Sequence, residues 1–287
     1  MIFPPNSPFY FIGRGTEPDL ENTRLDQLVE VILQNRKYRD LAIPKETVMD
    51  LVQREVESGL DEKTMLKNVR KKMHNIIAPY LGDPNYSEAI PLLEKAYISK
   101  NADTIKQICI KILDQHASTR ERVPYLKDFY NQIFNKIGKP GSILDLACGL
   151  NPISIPWMEL PLQTDYHAYD IHSPRVKFIN QFLILAGRQP QAEVRDILVN
   201  PPEIRADVAF FFKEAHRLEQ RRKGANRDLW QKLNVDTLLV SLPISSLSGQ
   251  HDLSGQMRRL VENAIRGFSW SLQEIFIGNE IVFYIKK

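Results

Sequence analysis

Cysteine is almost missing from this chain: Cys109 and Cys148 are the only two among 287 residues. So few thiols exclude a disulfide framework and a cysteine-rich zinc site. No apolar run is long and unbroken enough to cross a bilayer. The opening stretch MIFPPNSPFYFIGRG is apolar, but Pro4, Pro5 and Pro8 interrupt it and no basic leader precedes it. It therefore predicts no secretory signal, no membrane partner and a cytoplasmic location. A repeat of fixed period and a long low-complexity tract are also lacking. An excess of one charge is lacking too, since 38 Lys and Arg stand against 35 Asp and Glu, a formal +3. That balance permits a nucleic-acid partner without requiring one.

What is present divides into two textures. From about Leu25 to Phe134, apolar residues recur at three- and four-residue spacings, the helical period. LDQLVEVILQNRKYRDL, PKETVMDLVQREVES, DEKTMLKNVRKKMHNIIAPYL, YSEAIPLLEKAYIS and NADTIKQICIKILDQH each predict a helix. STRERVPYLKDFYNQIFNKI predicts one more, with Pro124 tolerated only near its first turn. GKPG, Gly138 to Gly141, then supplies a break. Beyond it come short apolar runs, SILDLA, YHAYDI, AEVRDI, DVAFFF and DTLLVSL, mostly separated by helix-compatible segments. This alternation predicts an open parallel sheet. LQEIFIG and EIVFYIK lie too close for a helix between them, so a hairpin through Gly278-Asn279 is expected. The expected architecture is α/β. An all-helical N-terminal subdomain (1–135) precedes a Rossmann-like domain (136–287) with a mostly parallel seven-stranded sheet. A reversed final strand suits a class I methyltransferase better than a dehydrogenase.

The stretch ILDLACGLNP, Ile143 to Pro152, runs from a buried strand into a turn, where open α/β sheets bind ligands. Gly149 permits close backbone approach, and Ala147 is small enough to do nearly the same. Asn151 tolerates a left-handed conformation and Pro152 suits a helix start. Alone, this is equally an ordinary strand-turn-helix. The next two strands end in acids: Asp170, placed for ribose hydroxyls, and Asp196, placed for an adenine edge. The second and third glycines of a diphosphate-binding loop are missing, so S-adenosylmethionine, which carries no phosphate, fits better than NAD. NPP, Asn200 to Pro202, imitates a motif of amine-directed methyltransferases but follows the third strand rather than the fourth, and a proline turn is the better account.

HASTRER (His116 to Arg122), LDLACGLNP (Leu144 to Pro152), YDIH (Tyr169 to His172) and FFK (Phe211 to Lys213) together resemble the aminoglycoside-resistance 16S rRNA methyltransferases. KYRDL (Lys37 to Leu41) resembles their N-terminal segment, and the likeness runs in order from about Asn35 to the C-terminus. It implies methylation of guanine N7 in the decoding site of the small ribosomal subunit, with S-adenosylmethionine as methyl donor, by a monomer that needs no metal. It implies that Arg122 lies near the methionine carboxylate of the cofactor, which a guanidinium can pair with two donors. A surface arginine paired with Glu121 or Asp128 is the alternative. Gly149, Asp170 and Asp196 match the family's cofactor contacts, and Ala147, Asn151, Ile171 and Ile197 complete the expected cofactor set. His116 is expected to be structural. Lys213, closing the fourth strand, is a candidate for meeting substrate or cofactor, or simply solvated.

Neutral guanine N7 carries a lone pair and no proton, so its methylation needs no general base. No Ser-His-Asp set or zinc cluster is evident, and neither Cys109 nor Cys148 is placed for covalent catalysis at cytosine C5. Basic clusters occur at Arg36-Lys37-Arg39, at Lys67-Arg70-Lys71-Lys72, and at Arg217, Arg221, Arg222, Lys223 and Arg227. Lys37, Arg39, Lys67, Arg70, Lys71, Arg221 and Arg222 are the expected RNA contacts, although solvated helix faces have the same composition. SLPISSLSGQHDLSGQM (Ser241 to Met257) is poorer in arginine, lysine and glycine than the matching family segment, and EAHRLEQ after Lys213 lacks the family's leucine-proline texture. Cofactor motifs are kept while target-side residues differ, so drug resistance is not implied. An RNA-binding assembly factor with a vestigial pocket and a small-molecule methyltransferase with a helical lid remain the alternatives.

Overall fold

The computed structural model describes residues 17–35, 43–77, 83–245 and 252–287. Helices come first: α1 (Glu17–Leu33), α2 (Lys45–Val56), α3 (Glu62–Ile77), α4 (Tyr86–Ile98) and α5 (Ala102–Leu113). Asn85 and Asn101 begin α4 and α5 by accepting hydrogen bonds from the backbone N–H groups of Ser87 and Thr104. The segment expected as one helix from Ser118 onward is interrupted. A short α6 (Ala117–Arg120) ends, a 3-10 turn covers Val123–Tyr125, and α7 (Leu126–Ile137) follows. Pro124 has no N–H for the helical ladder, so the chain turns there and restarts. Leu126, Phe129, Tyr130, Ile133 and Phe134 then form the buried stripe of α7.

The sheet follows as expected. Its strands are β1 (Ser142–Leu146), β2 (Asp165–Asp170), β3 (Ala192–Val194), β4 (Ala206–Phe212), β5 (Val235–Pro243), β6 (Ser271–Ile277) and β7 (Glu280–Lys286). They lie in the order β3-β2-β1-β4-β5-β7-β6. The first five run parallel, while β7 pairs antiparallel with both β5 and β6. Between them come α8 (Ile155–Met158), α9 (Ser173–Leu185), α10 (Ala215–Arg221), α11 (Ala225–Lys232) and α12 (Ser254–Ile265). The order reverses between β1 and β4, which opens a crevice at the carboxyl ends of the parallel strands.

Alternation along the strands builds two cores. Ile143, Tyr166, Ala168, Val208 and Phe210 pack with residues of α4, α5, α7 and α9. Their neighbours Leu144, Tyr169, Ala209 and Phe211 pack on the opposite face with α10, α11 and α12. A third core belongs to α1, α2 and α3, through Val29, Ile32, Val48, Val52, Val69 and Met73. Its one buried member from outside those helices and the loop leading into α2 is Ile171, just beyond β2. Helices α4, α5 and α7 thus precede the sheet in sequence yet share its core, and the strand tips meet the α1–α3 bundle at Ile171.

The β6–β7 hairpin turns through Gly278, whose φ is +57°. A Cβ there would collide with the Tyr125 ring. Gly278→Ala combines left-handed strain with that overlap, so an expected loss of about 2 kcal/mol or more should appear in urea unfolding at unchanged slope.

Candidate functional site

The carboxyl ends of the parallel strands border a cavity of about 590 Å³, the size of an ordinary small-molecule site. Ala147, Ile171, Asp196 and Ile197 line it from the tips of β1, β2 and β3. Glu214 and Arg217, Leu218 and Arg221 of α10 form one side. Leu51 of α2 and Lys72 and Ile76 of α3 close it from the bundle. The expected S-adenosylmethionine residues Ala147, Ile171, Asp196 and Ile197 therefore share one cavity. Arg122, Gly149, Asn151 and Asp170 do not line it.

The loop after β1 explains why a partial glycine set suffices. Ala147 and Gly149 both take left-handed conformations, with φ of 47° and 53°. Ala147 is thus a non-glycine residue held under backbone strain beside the cavity, a pattern common at functional sites. Gly149 donates its N–H to the Asp170 carboxylate at 2.9 Å, and a Cβ on it would come to 3.6 Å from His116 Cε1. Asn151 does not supply a left-handed turn as expected; it opens a 3-10 helix over Asn151–Ser154 that also contains Pro152. Its side chain works instead, accepting from Arg122 at 3.0 Å and Tyr130 at 2.6 Å, and donating to Asp145 at 2.9 Å. Burial pushes the Asp145 carboxyl up to about 7 against the donors Tyr166 and Asn151.

Asp170 is the knot of a buried network. One oxygen accepts the His172 N–H at 2.8 Å; the other accepts from Gly149 at 2.9 Å and from Arg175 at 3.1 Å. Arg175, fully buried, extends its other terminal nitrogen to Asp83 at 2.5 Å. His172 Nδ1 lies 3.0 Å from the same Asp83 carboxylate, which Tyr86 also contacts. Burial opposes ionisation of Asp83, but His172 and Arg175 outweigh it and hold the carboxyl below its usual range. His116 has the structural place expected of it, bonding Ser118 at 2.8 Å; burial and Arg175 push its pKa down to about 4.

Asp196 faces the cavity with its acceptors filled. Oδ1 takes the Leu198 N–H at 3.1 Å and Arg221 Nη1 at 2.9 Å; Oδ2 takes Arg221 Nη2 at 2.6 Å and Thr47 Oγ1 at 2.9 Å. A carboxylate offers about four lone-pair directions, and here all are used. This corrects the RNA-facing expectation for Arg221. It is drawn into the cavity wall by Asp196, with Asp50 3.6 Å away. Arg222 is half-buried and pairs with Asp228 at 3.3 Å. Lys67, Arg70 and Lys71 are exposed on α3, where a phosphate backbone can reach them. Lys37 and Arg39 lie outside the described residues.

Arg122 is neither at the surface nor beside Glu121 or Asp128. Its Nε and Nη2 grip Glu280 at 2.8 and 2.7 Å, Nη1 reaches Asn151, and Nη2 also reaches Ser241 at 3.3 Å. The guanidinium lies over the Phe129 ring, 4.0 Å from its centroid. Four of its five N–H groups are thus consumed inside the protein. The two-donor fork expected for a ligand carboxylate is given to Glu280, a residue that sequence reasoning passed over. Lys213, with φ of 60°, turns its ammonium to Glu121 at 2.7 Å and Glu280 at 3.5 Å rather than into the cavity.

Comparison with known proteins assigns the chain to a family. The family described as "Ribosomal RNA methyltransferase (FmrO)" matches residues 34–285. A Frankia casuarinae protein named 16S rRNA (guanine(1405)-N(7))-methyltransferase is 32% identical over 285 residues, covering 96% of this chain and 98% of its own. One of the same name from Micromonospora echinospora is 30% identical over 269 residues, covering 92% and 97%. The crystal structure of an rRNA methylase from Escherichia coli superposes with a TM-score of 0.72 at 26% identity, covering 92% of this chain and 99% of that one.

Arg122 and Glu280 make a buried pair whose rupture is expected to be costly. Burial opposes ionisation of Glu280, but Arg122 and Lys213 hold its carboxyl down at about 2, below the ordinary 4.5. The folded state therefore gains from this pair above about pH 4.5 and loses that gain as pH falls toward 2. Glu280→Gln leaves a buried guanidinium without its counter-charge, an expected loss of about 3 kcal/mol at neutral pH. Urea unfolding across this pH range should show the variant's stability changing less steeply than that of the unaltered chain.

Proposed function

Because the chain belongs to the ribosomal RNA methyltransferase (FmrO) family, we propose that it methylates N7 of a guanine in 16S rRNA of the small ribosomal subunit. S-adenosylmethionine is the methyl donor, and the target is the nucleotide named in its relatives, guanine 1405. The observation carrying this reading is the strand-tip cavity that holds Ala147, Ile171, Asp196 and Ile197 together. Ile171 and Ile197 offer apolar surfaces to a flat purine, while Asp170 holds the Gly149 loop and the backbone at His172 in place around the ribose. An adenine amino group reaches Asp196 only where Thr47 or one Arg221 N–H gives way. Arg122, buried behind the loop after β1, shapes that loop through Asn151.

Bound S-adenosylmethionine supplies an electrophilic methyl group on a positive sulfur. The protein's own work is to orient donor and base in line and to keep water out, since guanine N7 has no proton to remove. Helix α3 brings Lys67, Arg70 and Lys71 toward RNA phosphates. Among the described residues no helix is long and apolar enough to cross a membrane, and no cluster of metal-ligating side chains occurs. A monomer working in the cytoplasm completes the proposal.

Two measurements test it. Labelled S-adenosylmethionine with assembled small subunits, and separately with naked rRNA, should place label in 16S rRNA at one mappable guanine N7. Label that never enters RNA, despite tight binding of S-adenosylhomocysteine, leaves the assembly-factor or small-molecule readings. By calorimetry, Asp170→Asn and Gly149→Ala should each weaken S-adenosylhomocysteine binding at least about tenfold, one by disturbing an acceptor and the other by straining the loop.

A further inference from the structure

We infer that Glu214 is the residue that meets the target base, holding its donor edge and offsetting the positive charge that arrives on it. This inference rests on the guanine-N7 reading above. The sheet order supplies the first argument. Asp196 and Ile171 line the cavity beyond β3 and β2, where the nucleoside lies on that reading, and Ala147 lines it beyond β1, for the tail bearing the sulfur. The next strand tip in that row is β4, so the methyl acceptor belongs there. Glu214 lies two residues beyond the end of β4 and lines the same cavity. Lys213 just before it is held at φ 60°, and its side chain goes to Glu121 and Glu280. Glu214, not Lys213, is thus the β4-tip side chain offered to the cavity.

Availability supplies the second argument. The two acids lining the cavity are Asp196 and Glu214. Asp196 is saturated by Thr47, Leu198 and Arg221. The Glu214 carboxylate is approached by Arg217, three residues on, at 3.9 Å. Burial pushes its carboxyl up to about 7; Asp170 raises it further, while Arg217, Arg221 and Arg175 lower it. Lys72 of α3 and Arg195 after β3 are the other charged groups around the cavity.

The chemistry gives this carboxylate its task. The guanine N7 lone pair forms the new N–C bond as the S–CH3 bond breaks, and that bond's electron pair remains on sulfur. No proton moves, and one positive charge passes from sulfur to the purine. Guanine presents N1–H and N2–H donors on the edge away from N7, and both become stronger donors as the ring turns cationic. A carboxylate there accepts both and is favoured more in the transition state than before it. The same pairing selects guanine over adenine, whose corresponding edge has an acceptor at N1.

The test compares the full chain with Glu214→Gln and Glu214→Asp. Readouts are single-turnover methylation of small subunits at saturating cofactor, pH dependence from about 6 to 8, and calorimetric affinity for S-adenosylhomocysteine. The unaltered chain should accelerate with rising pH as the carboxylate ionises. Glu214→Gln should be about tenfold or more slower with a flattened pH profile, while its S-adenosylhomocysteine affinity stays within about twofold. Glu214→Asp should recover part of the rate and of the slope. An unaltered rate and profile in Glu214→Gln overturns the inference alone. A matching loss of S-adenosylhomocysteine affinity also overturns it, since the carboxylate would then serve the cofactor. No methylation by the unaltered chain removes the functional reading and this inference with it.

Discussion

The site hangs on one charged knot, Arg175 bridging Asp170 and Asp83 out of contact with water. A guanidinium with no exposure is tolerable only because carboxylates meet it on two sides. Through Asp170 it governs Gly149, and so the left-handed loop after β1. Through Asp83 it fixes the chain just before α4 and gathers His172 and Tyr86. Three stretches far apart in sequence therefore share one electrostatic constraint, and Asp170 inherits its geometry from all of them.

A second constraint lies across the sheet. Arg122 and Glu280 join the turn before α7 to the first residue of β7, with Lys213 and Ser241 nearby. This fixes the tips of β4 and β5 relative to the reversed strand. The cavity thus has a frame on either side of the switch point: a cation-centred one at β2, Arg175 between Asp170 and Asp83, and an anion-centred one at β7, Glu280 between Arg122 and Lys213. Its own lining, mostly isoleucine, alanine and α10 side chains, is left to meet a ligand.

Much of this was legible before any coordinates. Strand runs, the Gly278-Asn279 hairpin and the reversed last strand follow from period and spacing, because a half-buried sheet cannot hide its alternation. Asp170 and Asp196 stood out as acids ending strands, and the rule that found them also points at Glu214. Glu214 is masked in the sequence by Lys213, which stands between it and the end of β4. The partners of Arg122 and Arg221 were not legible. Glu280 is 158 positions from Arg122, and Asp196 is 25 from Arg221. Neither separation follows a local period, so only the packed chain shows which carboxylate wins. The bundle side of the cavity escaped for the same reason, since Leu51 and Ile76 look like ordinary stripe residues.

The α1–α3 bundle has its own core and shares Ile171 with the strand tips. Thr47 and Lys72 carry that bundle to Asp196 and to the cavity rim. A molecule lodged between them is mortar between two bricks, touching both and adding adhesion that neither has alone. By thermodynamic reciprocity, a second partner that steadies the bundle tightens the grip on that molecule by the same factor by which the molecule tightens the grip on that partner.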